Sequence, residues 1–144
     1  MLAILRTNKW RWLPLASCFL FGAVFVFAGA LKVKDPAQFL TSIRGFQMVP
    51  DPFAAWLALA LPWLEIFAGL AVITGWLRHG GLLLLNATLV VFIIALGIAW
   101  ARGLNIECGC FGAVKTGTMV QEIALDVVLL LVGGWLSFIF VRLR

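Results

Sequence analysis

The sequence predicts an all-α integral membrane protein: a four-helix bundle with both termini on the cytoplasmic side. Three observations carry that expectation. Hydrophobic residues make up 64% of the chain and charged residues only 12%, against roughly 45–50% and about 25% in soluble domains, so too little polar surface remains to cover a water-soluble globule. Four apolar runs, about 13–31, 53–76, 80–100 and 119–141, each approach the roughly 20 residues that cross a hydrocarbon core. The basic residues flank these runs, and their spacing reports orientation.

Each run is expected to be a helix, because a segment in lipid must satisfy its own backbone hydrogen bonds. The four spans use most of the 144 residues, so the chain reads as one transmembrane domain over 1–144 with no room for a soluble catalytic domain. The first run follows Arg6, Lys9 and Arg11 and contains Ala28-Gly29-Ala30, features of a secretory signal. Its apolar stretch exceeds the usual 7–15 residues of a signal core, so we read it as the first span. The net charge of +5 describes topology, not nucleic-acid binding, since no basic patch with interleaved polar aromatics occurs.

Four spans place the termini and the second-to-third connection on one side. That side carries Arg6, Lys9, Arg11, Arg78, Arg142 and Arg144 in short segments without an acid. Lys32, Lys34, Arg44, Arg102 and Lys115 are spread over longer connections that also hold Asp35, Asp51 and Glu107. The denser side is expected to be cytoplasmic, in a bacterial inner membrane with the lipid bilayer as first partner. Trp10, Trp12, Trp56, Trp76, Trp100 and Trp135 sit near run ends, as interfacial belts do; Trp63 is expected inside the bundle.

The long connections 32–52 and 101–118 then face outward, into a compartment where disulfides persist. The second contains Glu107-Cys108-Gly109-Cys110-Phe111-Gly112. Two cysteines one residue apart can join only if a turn brings their Cα atoms within about 4.4–6.8 Å. Gly109 permits that turn, and Phe111 and Gly112 complete it. So short a ring stabilises little, and strained, exposed disulfides tend to be the labile ones. Redox activity at Cys108 and Cys110 is the leading reading, ahead of soft-metal binding and of inert thiols or a static staple. No metal site is assigned. Cys18, at the other end of its helix, reads as a small buried hydrophobe.

Two acids stand in apolar surroundings. Glu65 falls in the middle of the second run and Asp126 about two turns into the fourth, where an ionised side chain costs at least about 2.5–3.5 kcal/mol. Lys32 at the end of the first run and Arg44 beyond it are the available cations, and Lys32 is expected to pair with one of the acids. Two readings stay open: a structural polar clamp between helices, or a proton or quinone site. Pro62 removes a backbone hydrogen bond just before Glu65, so a kink is expected there. His79 reads as a surface residue. Gly22, Gly29, Gly69, Gly75, Gly97, Gly133 and Gly134 read as points of close helix packing.

The ordered set Gly29-Ala30-Leu31-Lys32, Asp35-Pro36-Ala37-Gln38-Phe39, Pro50, Leu61-Pro62-Trp63-Leu64-Glu65, Gly69 and Cys108-Gly109-Cys110-Phe111-Gly112 resembles the methylamine-utilisation MauE family. That family lies within the DoxX-like four-helix membrane proteins, and the likeness covers nearly the whole chain. It implies a membrane redox component that supports disulfide formation or thiol transfer with a thioredoxin-like protein. In the founding pathway this helps mature the disulfide-rich small subunit of methylamine dehydrogenase. DoxX relatives are linked to quinone-coupled oxidation of sulfur compounds, which makes a quinone the candidate cofactor. Vitamin K epoxide reductases offer an analogy, but this chain lacks their second cysteine pair and Cys-x-x-Cys motif.

The functional expectation is a membrane thiol–disulfide redox protein. It would exchange disulfides through Cys108 and Cys110 with a thioredoxin-like periplasmic protein, a cysteine-rich protein or a membrane redox subunit. The alternative is a non-enzymatic membrane subunit or assembly factor whose Cys-Gly-Cys loop is a docking turn. Neither the direction of electron flow, the oligomeric state nor the metabolic pathway is written in the sequence.

Overall fold

The computed structural model describes residues 12–104 and 118–142. Cys108 to Gly112, and the basic residues Arg6, Lys9, Arg11, Lys115 and Arg144, lie outside the described residues. Five helices follow in order: α1 (Trp12–Lys34), α2 (Pro36–Gly45), α3 (Phe53–Thr74), α4 (Arg78–Ala101) and α5 (Met119–Arg142). All but α2 are long and apolar enough to cross a membrane. At about 1.5 Å per residue they exceed the roughly 30 Å hydrocarbon core.

The spans run antiparallel in sequence order, as their contacts show. Gly22 of α1 meets Gly69 of α3, while Gly29, further along α1, meets Pro62, earlier along α3. Gly81 at the start of α4 lies on Ala68 and Val72 near the end of α3. Arg78 and His79 at the start of α4 stand against Phe140 at the end of α5. Trp12 and Arg142 therefore share one end of the bundle, and Lys34, Phe53, Ala101 and Met119 share the other.

Glycine sets how closely α1 and α3 approach. A Cβ on Gly22 would sit 2.6 Å from the Gly69 carbonyl oxygen, and one on Gly69 would sit 2.8 Å from that of Gly22. This reciprocal contact brings two backbones together where any side chain would part them. Below it, Cys18, Phe21 and Phe25 pack with Ala68, Val72, Leu82, Leu85, Leu89 and Leu136. The opposite surface is apolar as well: Phe19, Phe67, Leu83, Val91 and Leu131 are all exposed. An outside as apolar as the inside is what lipid as solvent requires.

Polar side chains finish the joints between helices. After Gly75, which ends α3 at φ 83°, the Arg78 Nε donates to the Val72 carbonyl at 3.2 Å and satisfies an acceptor at the end of α3. Asn86 Nδ2 of α4 donates to Ser137 Oγ of α5 at 3.0 Å, and the Ser137 hydroxyl donates to the Gly133 carbonyl at 2.9 Å.

Several expectations need correction. The connection 32–52 contains α2, whose start is written in the sequence: the Asp35 carboxylate accepts from the Gln38 backbone N–H at 3.1 Å, with Pro36 in the first turn. Trp63 is half exposed and faces outward, stacked on Phe67 with ring centroids 6.2 Å apart. The buried face of α3 runs through Ala58, Pro62, Glu65, Ala68 and Val72, and Trp63 falls off that stripe. Among the described residues nothing lies within 4 Å of where a Cβ on Gly97 or Gly134 would stand, so neither marks a close helix contact there. Arg44, the other available cation, pairs with Asp51 at 3.2 Å, and both side chains are well exposed.

Candidate functional site

The buried charges of the described residues converge at one place. Lys32, Glu65 and Asp126 are the buried charged side chains of the core, exposed by 1%, 1% and 4%. They come from the last turn of α1, the middle of α3 and the second turn of α5. α1 continues past Leu31 to Lys34, and this extra turn points Lys32 inward instead of leaving it in a loop.

Lys32 Nζ donates to both carboxylate oxygens of Glu65 at 2.9 Å. Two charge-assisted bonds to one carboxylate make the pair compact. They also offset part of the desolvation that burial imposes on each ion. Two rings complete the enclosure: Phe39 of α2 has its centroid 5.0 Å from Nζ, and Phe92 of α4 lies 5.2 Å away. Both distances suit a cation–π contact. The short helix α2 thus covers the ion pair, held down by Phe39 and Ile43 against Ala54 and Ala58.

Asp126 faces the same interior. Its Oδ2 is buried and has no hydrogen-bond partner among the described residues. A partly open cavity of about 20 Å³ is lined by the three polar side chains together with Val24, Phe25, Ala28, Leu89, Phe92 and Leu129. That volume accommodates a single water. It is far below the roughly 300–1,000 Å³ of a small-molecule site.

The cysteines divide. Cys18 is 1% exposed in the apolar core beside Phe21 and Leu85. The stems of the connection that carries Cys108 and Cys110 are described: Leu104 on one side and Met119 and Ile123 on the other pack on Phe46, Leu96 and Ala99. Phe46 directly follows α2. The ends of α2 and α4 and the start of α5 therefore meet at the bundle end nearer Lys32. Sequence reading missed Phe39 and Phe92 as site residues. The Asp35-Pro36 helix start would have found α2 and hence Phe39, whereas Phe92 is one apolar residue among many.

A family model described as methylamine utilisation protein MauE matches residues 10–139. Methylamine utilization protein MauE of Methylorubrum extorquens is 38% identical over 81 residues, covering 56% of this chain and 44% of that protein. The protein of the same name from Paracoccus denitrificans is 33% identical over 89 residues, 61% of this chain and 48% of the relative. That of Methylophilus methylotrophus is 30% identical over 93 residues, 63% and 49%. The chain thus matches slightly under half the length of these curated relatives. No solved structure matches. Four spanning helices, together with a family match that reaches from before α1 into α5, establish the chain as a multi-pass bacterial membrane protein that belongs to the MauE family.

Proposed function

We propose that this protein is a membrane-embedded thiol–disulfide redox component serving methylamine utilisation, with Cys108 and Cys110 as its reactive pair. The observation that carries the reading is the Cys108-Gly109-Cys110 sequence between two spanning helices whose facing ends pack together beside α2. A reactive pair needs an aqueous approach and a supported platform. The position between Leu104 and Met119, beyond the apolar spans, is suited to both. The link to methylamine utilisation rests on the family and on the names of the relatives.

In this reading both termini are cytoplasmic and the pair faces the periplasm. A thiolate of a thioredoxin-like or cysteine-rich partner attacks one sulfur of the Cys108–Cys110 disulfide, and the other sulfur leaves as a thiolate. A second partner thiolate attacks the mixed disulfide, so the partner departs oxidised and the pair is left as a dithiol. Two electrons and two protons must then pass to an acceptor, either another membrane subunit or a quinone docked away from the water-sized cavity. The reading asks for a tight turn between the two cysteines, a conformation that a glycine such as Gly109 permits.

The test is Cys110→Ser, with Cys108→Ser as its reciprocal, followed by a search for a trapped partner adduct on the remaining cysteine under non-reducing conditions. A covalent adduct that reductant dissolves is the expected result. Full methylamine-dependent growth of a strain carrying the double serine variant would overturn the proposal and leave a non-enzymatic membrane subunit or assembly factor.

A further inference from the structure

A lysine ammonium has three N–H donors, and the two bonds to Glu65 employ two of them. The third belongs to a group that is 1% exposed and that borders the cavity. Asp126 borders it too, with Oδ2 lacking a partner among the described residues although the residue is only 4% exposed. One donor and one acceptor without hydrogen-bond partners among the described residues, both lining a gap of about 20 Å³, describe a site for one water. A buried water ordinarily makes about three hydrogen bonds to otherwise unsatisfied groups, and Lys32, Glu65 and Asp126 supply that number.

Charge adds a second requirement. Lys32 and Glu65 neutralise one another, so an ionised Asp126 would leave one uncompensated negative charge inside the bundle. The charged groups whose field reaches it are Lys32, Glu122 and Glu65. Glu122 lies one turn earlier on the same helix, and α4 presents only Leu89 and Phe92 to the cavity. A hard metal cation would want about six or more oxygen ligands and would face the Lys32 ammonium. A proton needs one oxygen.

We propose that Lys32, Glu65 and Asp126 form a hydrated single-proton site within the bundle, in which Asp126 holds the proton and one water links it to the Lys32–Glu65 pair. The Asp126 hydroxyl and the third N–H of Lys32 donate to the water, which donates back to Glu65. No bond but O–H changes, and the proton exchanges through the water. This site stands independently of the reactivity of Cys108 and Cys110, and the two proposals can fail separately.

Infrared spectroscopy of the purified full chain in lipid nanodiscs reads the site directly. The expected result is a carboxylic-acid C=O band that shifts in heavy water, persists in Glu122→Gln and disappears in Asp126→Asn. Ala28→Val narrows the cavity without altering any of the three polar side chains. It should expel the water and move the same band to higher frequency, as for a carboxyl that has lost a hydrogen bond. Absence of the band in the unaltered protein, or its survival in Asp126→Asn, overturns the proposal. Should Asp126→Asn fail to fold, an unmoved band in Ala28→Val overturns the hydrated site.

Discussion

Lys32 Nζ stands 2.9 Å from both carboxylate oxygens of Glu65, tying the end of α1 to the middle of α3 across 33 residues of sequence. Phe39, which belongs to neither helix, lies over the ammonium with its ring centroid 5.0 Å from Nζ. Removal of one partner should therefore be severe. Lys32→Met leaves a buried carboxylate without its cation, and a loss of about 3–5 kcal/mol is expected. The double variant Lys32→Met/Glu65→Leu should recover much of that loss, because no ion then remains to be desolvated. Reversible unfolding in mild detergent measures both. A double variant as unstable as the single would contradict this account.

The exposed pair between Arg44 and Asp51 is the natural contrast. Its side chains are 53% and 55% exposed, and water screens both charges. Arg44→Ala should change stability by no more than about 1 kcal/mol, and added salt should shrink the difference. The same unfolding assay serves.

Phe39 makes α2 a structural part of the bundle. Phe39→Ala removes a ring that is 2% exposed and uncovers Lys32, for an expected loss of about 3–5 kcal/mol. Lysine-directed labelling should then modify Lys32, which is protected in the unaltered protein. Mass spectrometry of the labelled peptide provides the readout.

Two glycines should respond in opposite ways. Gly22→Ala places a Cβ 2.6 Å from the backbone oxygen of Gly69, which a rotamer change cannot relieve, and should cost about 1–3 kcal/mol. Gly97→Ala meets nothing within 4 Å and should be neutral or stabilise by up to about 1 kcal/mol through helix propensity. Thermal melts of the two variants side by side make the comparison.

Cys18 should stay unreactive. Its side chain is 1% exposed among Phe21, Leu82 and Leu85, so a membrane-permeant maleimide should modify it only after denaturation. Cys18→Ala should cost roughly 1 kcal/mol, near the centre of single-substitution effects. Modification of Cys18 in the folded protein would show that the bundle opens at that end.

Composition and run length alone determined a helical membrane bundle with four spans. Each span carries its own evidence locally: about 20 apolar residues whose backbone must bond to itself in lipid. The same arithmetic marked Glu65 and Asp126 as residues in the wrong solvent and Lys32 as an available partner, and Asp35-Pro36 encoded the start of α2 locally. What the sequence did not contain was direction around a helix. A span that meets lipid on one side and protein on the other is apolar all round, so the usual amphipathic signal is missing. Trp63 accordingly turned outward and Glu65, two positions later, inward. Only tertiary packing chose Glu65 as the partner of Lys32, left Asp126 Oδ2 facing a water-sized gap, and brought Phe39 and Phe92 over the ammonium. Those choices depend on how closely α1 and α3 approach, which Gly22 and Gly69 set together across 47 residues. No local pattern encodes such a distance.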